Sequence, residues 1–263
     1  MSRRDGRPDI VYQAPWFLSQ RRASLRICIP ITAENTETAV RKMRRPYRFS
    51  GVSELILELR IDCIRDLHLE TILSQKRGKV IVTNRRAEEG GRFAGTEEER
   101  VKTLRQAAAL GADYVDIEAS TDRNLISELK REIADSQNQA KLIISYHNVL
   151  STPSERALRQ KLEMCGEWAP AIVKIVTMAG SVEDNLTILR LIPNARRKGL
   201  EIIAFCMGSA GRISRIMSPL LGAYLCFAAA GRSEATAPGQ MEARDMLRVF
   251  GILDNNGTRS GME

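Results

Sequence analysis

The sequence lacks several features that would place it in a familiar class of protein. No apolar run approaches the roughly 18 residues that a membrane-spanning helix requires. The basic start MSRRDGRPDIVYQ is not followed by the apolar stretch of a signal peptide, so we expect no targeting signal. There is no GxGxxG motif and no P-loop, and no histidine or cysteine cluster has the spacing of metal ligands. We therefore expect no metal, no dissociable cofactor and no membrane partner.

Cysteines are few and scattered. They form no CxxC pair and mostly lie in apolar runs, at Cys28, Cys63, Cys165, Cys206 and Cys226. This distribution is typical of reduced thiols that act as small core residues, and not of a disulfide framework. The sequence therefore predicts a cytoplasmic protein.

Basic residues are in excess but are spread along the chain. There are 40 Lys and Arg against 32 Asp and Glu, which gives a formal net charge of +8. Only RKMRRPYR, residues 41–48, is dense in basic side chains. Nucleic-acid-binding proteins usually concentrate such residues on one face or one helix. We therefore expect no nucleic-acid partner, and we interpret the charge as a solvated surface that can attract an anionic substrate.

Eight short runs rich in β-branched or apolar residues recur with the spacing of one βα unit each. They begin at Leu25, Leu55, Lys79, Asp113, Lys141, Ala171, Glu201 and Tyr224. With 263 residues, of which 43% are hydrophobic, the chain can bury the core of one α/β barrel. The sequence therefore predicts a single-domain TIM (β/α)8 barrel over residues 24–253, preceded by an N-terminal segment, 1–23, and followed by a flexible tail, 254–263.

Helical patterns occupy the segments between these runs. In TEEERVKTLRQAAALG, Thr96 and Glu99 have the spacing of a capping box, and Gly111 can end the helix. The segment SVEDNLTILRLIPNARRKG predicts another helix, with Ser181 as its N-cap and Gly199 at its end. Alternation of strands and helices in this order is typical of a parallel barrel.

Ionisable residues concentrate late in the predicted strands, where the active site of such a barrel lies. They are Glu58, Arg60 and Asp62 in the second unit, Arg85 and Glu89 in the third, Glu118 in the fourth, His147 in the fifth and Lys174 in the sixth. Because residues two apart on a strand share a face, we expect Glu58, Arg60 and Asp62 to point the same way. The alternative is an ion-pair cluster that serves only the structure.

A single lysine, Lys174, interrupts the apolar run AIVKIV. Its apolar neighbours disfavour the ammonium form, because desolvation lowers the pKa of a lysine. A neutral amine is a nucleophile toward ketones and aldehydes, so the sequence predicts Schiff-base catalysis. The alternative is an ammonium that reaches a carboxylate at the mouth of the barrel.

His147 is one of only two histidines and lies at the end of the fifth predicted strand. A neutral imidazole near a buried lysine can transfer protons close to neutral pH, which predicts general acid-base catalysis. A hydrogen-bonded structural histidine is the alternative. The other histidine, His68, lies in a helix-like segment and is interpreted as a surface or packing residue.

Two glycine-containing segments follow the last two strands. In MGSAGRISR, residues 207–215, small residues let backbone amides approach a ligand, and Arg212 or Arg215 can pair with a carboxylate. In ATAPGQ, residues 235–240, Thr236 and Gln240 offer hydrogen bonds. Either segment could instead be a plain loop.

Taken in order, these motifs make the chain resemble the type I 3-dehydroquinate dehydratases, the Schiff-base-forming class of the shikimate pathway. The resemblance runs from about Ser24 to Leu253 and rests on ELRID, TNRRAEEGG, DYVDIE, SYHN, IVKIV, MGSAGRISR and ATAPGQ. It implies a lyase of aromatic amino acid biosynthesis that converts 3-dehydroquinate to 3-dehydroshikimate and water. It also implies a homodimer.

The resemblance further implies a role for each matching residue. Lys174 would form the imine, His147 would carry the proton, and Glu89 would orient the histidine. Substrate-binding roles fall to Arg215 for the carboxylate, to Glu58, Arg60 and Arg85 for the hydroxyls, and to Thr236 and Gln240 in a closing loop. Glu118 and Met207 are weaker candidates.

The chain departs from the family pattern at three positions. Thr236 stands where serine is expected, Asn148 stands where aspartate is common, and Asn84 replaces a residue that is often aromatic. Two other functions remain open at this point. The chain could be a different Schiff-base barrel, an aldolase, or it could be a barrel that has lost catalysis and binds an anionic polymer through its basic surface.

Overall fold

The computed structural model describes residues 25–135 and 139–254. The N-terminal segment 1–23 lies outside the described residues, as does the tail beyond residue 254. Within the described ranges, no helix is both long and apolar enough to cross a membrane.

Eight parallel strands form one sheet that curves into a near-closed barrel, as predicted. The strands are β1 (Arg26–Ile31), β2 (Glu54–Arg60), β3 (Lys79–Thr83), β4 (Tyr114–Glu118), β5 (Lys141–Asn148), β6 (Ile172–Met178), β7 (Ile202–Met207) and β8 (Cys226–Phe227). Their order around the barrel is β7-β6-β5-β4-β3-β2-β1-β8. Between β7 and the short β8, the backbone N–H of Tyr224 donates to the carbonyl of Ile202 at 2.7 Å.

Helices alternate with the strands. They are α1 (Thr36–Arg44), α2 (Leu69–Leu73), α3 (Glu97–Ala109), α4 (Arg123–Asp135), α5 (Glu155–Gly166), α6 (Glu183–Leu189), α7 (Leu191–Arg197), α8 (Arg212–Leu221) and α9 (Ala243–Asp254). Short 3-10 turns lie at Ile61–Cys63, Ala87–Glu89 and Arg232–Glu234. The alternation gives the TIM-barrel architecture that the sequence predicts.

Both faces of the strands are buried, but against different partners. Outward-facing residues such as Leu57, Val115 and Val173 belong to the core between the barrel and its helices. Inward-facing residues low in the barrel are mainly apolar: Cys28, Ile56, Ile81, Tyr114, Ile143, Ile172 and Ile203. Because both faces are covered, the strands are almost continuous apolar runs in the sequence. The inward polar side chains, two residues further along several strands, therefore stand on an apolar base.

The capping box of α3 is confirmed. Glu99 N–H donates to Thr96 Oγ1 at 3.2 Å, and Thr96 N–H donates to Glu99 Oε2 at 2.9 Å. Gly111 follows the helix with φ of +88°, a conformation that glycine adopts without steric cost. This end of the helix matches the prediction from sequence.

The helix predicted between Ser181 and Gly199 is instead two helices, α6 and α7. Pro193 has no N–H to donate to the carbonyl four residues earlier, so a continuous helix would lose a hydrogen bond there. Ser181 is not the N-cap, since Asp184 Oδ2 accepts from the N–H groups of Gly180 and Ser181 at 2.8 and 3.0 Å.

The prediction that Asp62 shares a strand face with Glu58 and Arg60 is wrong. β2 ends at Arg60, and Ile61–Cys63 form a 3-10 turn closed by a 3.1 Å bond from Ile64 N–H to the carbonyl of Ile61. The turn folds the Asp62 carboxylate back onto Arg60, which donates to it from Nε and Nη2 at 2.9 and 2.7 Å. Arg60 and Asp62 therefore neutralise each other at the turn that follows β2, and not as neighbours on one face of the strand.

Candidate active site

A cavity of about 290 Å3 opens at the carboxyl ends of the strands. Most predicted site residues line it: Glu58, Arg60, Arg85, Glu89, His147, Lys174, Met207, Arg215, Thr236 and Gln240. Apolar walls come from residues such as Val176, Phe205 and Phe227. Glu118 and Arg212, which were also predicted as site residues, do not line this cavity. A smaller cavity of about 110 Å3, lined in part by Lys42, Tyr47 and Glu234, contains none of the predicted residues.

Lys174 lies on the inward face of β6, at the floor of this cavity, and is 5% exposed. Its Nζ donates to Asp116 Oδ2 at 2.9 Å and to Glu58 Oε1 at 3.0 Å. It also lies 4.7 Å from the centre of the Phe227 ring. The ammonium therefore has two anionic partners within the barrel.

The prediction that Lys174 is a neutral amine in the free protein is wrong. Burial alone would lower its pKa, but the Asp116 and Glu58 carboxylates outweigh burial, and the pKa of Lys174 lies above its ordinary value. The neighbours of Lys174 on β6 are apolar and by themselves favour the neutral amine. The deciding charges come from β4 and β2, on the inner surface of the barrel.

Asp116 is a site residue that was not predicted from the sequence. It lies on β4 between Tyr114 and Glu118 on the same inward face, and its side chain is 0% exposed. Burial alone would raise the pKa of its carboxyl, but Arg85 and Lys174 hold that pKa well below the usual range. The available signal was the aspartate in DYVDIE, an acid in a buried strand that also requires a cationic partner.

Arg85 links the carboxylates of β4. Its Nη1 donates to Glu118 Oε1 at 2.8 Å and to Ser145 Oγ at 2.7 Å. Its Nη2 lies 2.8 Å from Asp116 Oδ1 as an ion pair, without the direction of a hydrogen bond. Glu118 also forms an ion pair with Arg100, and Arg100 in turn pairs with Glu97 on the same helix, α3. Charges of alternating sign thus extend from Lys174 through the wall of the barrel.

His147 and Glu89 form a second pair at the cavity. Glu89 Oε2 accepts from the His147 backbone N–H at 2.8 Å and lies 3.2 Å from Nδ1. Ser120 Oγ donates to the other Glu89 oxygen at 2.9 Å. Burial and the nearby Arg85 and Lys174 charges lower the pKa of His147 well below its ordinary value, so the imidazole is neutral. With Glu89 accepting at Nδ1, the ring carries its proton there and leaves Nε2 as a base.

Arg215 projects from α8 into the cavity wall and is 2% exposed. Its Nη2 donates to the carbonyl of Pro238 at 3.1 Å, and its guanidinium lies 4.5 Å from the centre of the Phe205 ring. Within the described residues, its Nε has no hydrogen-bond partner and no carboxylate forms an ion pair with its guanidinium. Burial lowers the pKa of Arg215 to about 10. This cation therefore lacks the anion that usually accompanies a buried charge.

The 235–240 segment packs over the cavity. Gly239 has φ of +73°, and a Cβ there would lie 2.0 Å from the carbonyl oxygen of Gly208, so only glycine allows this approach. Gly208 N–H donates to the carbonyl of Pro238 at 3.0 Å. Gln240 Oε1 accepts from Thr236 N–H and Oγ1 at 2.7 and 3.1 Å. The threonine methyl is therefore compatible with the closed loop.

Asn148, the second departure, has a local role. Its Oδ1 accepts from the N–H groups of Leu150 and Ser151, both at 3.0 Å. An aspartate oxygen could accept the same bonds, so the amide preserves the turn while removing a negative charge near His147.

The structure is a TIM barrel with a buried lysine in the cavity at the carboxyl ends of its strands. The chain belongs to the type I 3-dehydroquinase family, which matches residues 27–257. It is 36% identical over 224 residues to a curated 3-dehydroquinate dehydratase of Thermococcus gammatolerans, covering 85% of this chain and 97% of the relative. It is 31% identical over 227 residues to another from Desulfotalea psychrophila, covering 86% and 97%.

A solved structure agrees on the architecture. The crystal structure of 3-dehydroquinate dehydratase from Geobacillus kaustophilus superposes with a TM-score of 0.77 at 24% identity, covering 88% of this chain and 92% of that one. At this identity the similarity concerns the fold.

Proposed function

We propose that this chain is a lyase that converts 3-dehydroquinate to 3-dehydroshikimate and water through an imine on Lys174. One observation carries the proposal. Among the described residues, a buried lysine with carboxylate partners, a histidine whose Nδ1 lies against Glu89 and an arginine without a carboxylate partner all line one cavity. Membership of the type I family supports the substrate.

The first step is imine formation. Lys174 loses a proton, and its lone pair adds to the ketone carbon of the substrate to give a carbinolamine. Loss of water from that intermediate leaves a protonated C=N bond. The positive nitrogen then accepts the electron pair released when a proton leaves the adjacent carbon.

His147 moves that proton. Its neutral ring presents Nε2 as the base. Glu89 Oε2 accepts hydrogen bonds from Nδ1 and from the backbone N–H of His147. The imidazolium so formed then protonates the departing hydroxyl group, and hydrolysis of the imine releases product and Lys174. Glu89 acts through the histidine and is a positioning residue.

The remaining residues bind the ring. Arg215 supplies the charge for the substrate carboxylate, since its guanidinium has no anionic partner of its own within the described chain. Glu58, Arg60 and Arg85 hold the hydroxyl groups at the other end of the cavity, and Met207 packs against the ring. Thr236 and Gln240 close the loop above it. Glu118 acts only through Arg85.

The cellular location and the oligomeric state belong to the same proposal. The enzyme works in the cytoplasm, consistent with its reduced, mostly buried cysteines. It forms a homodimer, as the resemblance to the family implies. Light scattering coupled to size exclusion tests the second property, and a monomer at working concentration would contradict it.

Product analysis tests the reaction. Incubation with 3-dehydroquinate should yield an absorbing conjugated enone with the mass of the substrate minus water. An aldolase would instead cleave a carbon–carbon bond and release two fragments. A protein that produces neither, but binds polyanions in a strongly salt-dependent way, would contradict the proposal.

A further inference from the structure

We propose that Asp116 is the permanent counter-ion of the reacting nitrogen, first of the Lys174 ammonium and then of the protonated imine. This inference rests on the proposed function, because it concerns the same lysine. It assigns a role to a carboxylate that is not among the predicted site residues.

Both oxygens of Asp116 have defined partners. Oδ2 lies 2.9 Å from Lys174 Nζ. Oδ1 accepts from Ser145 Oγ at 2.6 Å and lies 2.8 Å from Arg85 Nη2. These contacts fix both the position and the orientation of the carboxylate.

Asp116 also lies beneath the cavity and not on its surface. Its side chain is 0% exposed, and it is absent from the residues that line the cavity. A bound substrate therefore cannot reach it or displace it. The cavity-lining groups in direct contact with it are Lys174 Nζ and Arg85 Nη2.

Glu58, the other partner of Lys174, is placed differently. Its Oε1 accepts from both Lys174 Nζ and Thr83 Oγ1, each at 3.0 Å, and its side chain lines the cavity. A substrate hydroxyl can therefore compete for this carboxylate. Of the two anions, only Asp116 is isolated from the ligand.

The balance of the reaction explains why one carboxylate must stay. The ammonium carries three hydrogens and one positive charge, and imine formation releases two of those hydrogens, which leave with the ketone oxygen as water. One N–H and the full positive charge remain on the nitrogen. The iminium can therefore donate to only one of the two carboxylates.

The geometry indicates that Asp116 keeps this single N–H. It is held by Ser145 and Arg85, and its side chain is fully buried, so it stabilises the iminium without reorganisation. Release of Glu58 from the nitrogen then frees a carboxylate oxygen for a substrate hydroxyl. One ion pair persists through the reaction while the other is exchanged.

The test uses Asp116→Asn, which keeps the shape and removes the charge. Modification of Lys174 by ethyl acetimidate, followed by peptide mass spectrometry across a pH series, reports its amine form. Asp116→Asn removes a negative charge in contact with Lys174 Nζ, which lowers the pKa of the lysine. The pH profile of its modification should therefore move to lower pH by at least about one unit. The alkaline limb of kcat should move in the same direction, and kcat should fall roughly 100-fold.

Two control variants separate this role from a general effect of lost charge. Glu118→Gln removes another buried carboxylate of β4, which pairs with Arg85 and Arg100 and not with Lys174. It should leave the modification profile of Lys174 close to that of the wild type. Glu58→Gln should raise KM and shift the alkaline limb of kcat less than Asp116→Asn does.

The outcomes are distinguishable. A wild-type protein that forms no borohydride-trapped adduct overturns the proposed function and the counter-ion together. A wild type that forms the adduct, with Asp116→Asn retaining the wild-type profile or the wild-type kcat, overturns only the counter-ion. If Asp116→Asn does not fold, Ser145→Ala decides: the proposal requires a smaller shift in the same direction, and no shift overturns it.

Discussion

Two buried cations face the same cavity under opposite electrostatic conditions. Lys174, at the floor, is held between Asp116 and Glu58 within 3.0 Å. Arg215, in the wall, has a carbonyl and an aromatic ring as neighbours but no carboxylate within the described residues. In the proposed mechanism this difference separates two tasks: the compensated cation forms the imine, and the uncompensated cation binds the substrate carboxylate.

The largest effect is expected from Lys174→Ala. Without the amine no imine forms, so turnover should be abolished and borohydride should trap no adduct. A steady-state assay of enone formation measures the loss. Retention of wild-type activity in this variant would remove the basis for assigning chemistry to the compensated cation.

His147→Ala should separate covalent bond formation from proton transfer. Lys174 remains intact, so the imine should still form and be trapped, while kcat falls roughly 1000-fold through loss of the acid-base group. Single-turnover trapping with mass spectrometry measures both steps. If a folded variant traps no substrate, the division of roles between the two residues is wrong.

Arg215→Met should affect binding and stability in opposite directions. Loss of the only unpaired guanidinium facing the cavity within the described chain should reduce kcat/KM roughly 100-fold, mostly through KM. In the absence of substrate, the free energy of unfolding of Arg215→Met should be about 1 kcal/mol higher than that of the wild type, because a buried charge without an anion is costly. Asp116→Ala, which strips a compensated cation of its partner, should instead lower stability by about 3–5 kcal/mol.

Urea unfolding of Arg215→Met and Asp116→Ala side by side measures this contrast. Destabilisation of equal size in both variants would show that the two cations are not in different electrostatic conditions.

The pH profile offers a smaller effect. Because burial and neighbouring positive charges lower the pKa of His147, its base form should persist below the ordinary value of 6.5. The unfolded chain binds that proton at higher pH, so this residue should cost stability as pH falls below that ordinary value toward the lowered one. An NMR titration that gives the His147 imidazole a pKa at or above its ordinary value would contradict the assignment.

The smallest effect is expected from Thr236→Ser. The hydroxyl that bonds Gln240 is kept and only a methyl is removed, so kcat/KM should change by no more than about threefold. A matched Thr236→Val variant, which keeps the shape and loses the hydroxyl, should change KM more. Equal effects of both substitutions would show that the methyl and not the hydroxyl matters in the loop.

The sequence predicts the barrel well because each strand and some of the helix ends carry a local signal. Thr96 and Glu99 cap α3 through contacts between residues three apart, and the site residues lie at strand ends that any parallel barrel brings together. The motifs that resemble the type I family then place ten of the proposed residues at one cavity.

What sequence could not supply depends on partners from distant strands. Asp116 meets Lys174 across 58 positions, so neither the aspartate nor the raised pKa of the lysine follows from neighbours in the chain. The turn at Ile61–Cys63 similarly redirects Asp62 away from the expected face. The break at Arg190 was readable from the sequence, since Pro193, three residues later, lacks the N–H that a continuous helix requires.

The most direct test of the account is the intact mass of the protein after borohydride reduction with 3-dehydroquinate, followed by peptide mapping. The account predicts one covalent adduct, located on Lys174 and absent without substrate. Active protein that repeatedly gives no adduct, or gives one on another lysine, would contradict the imine at the centre of this mechanism.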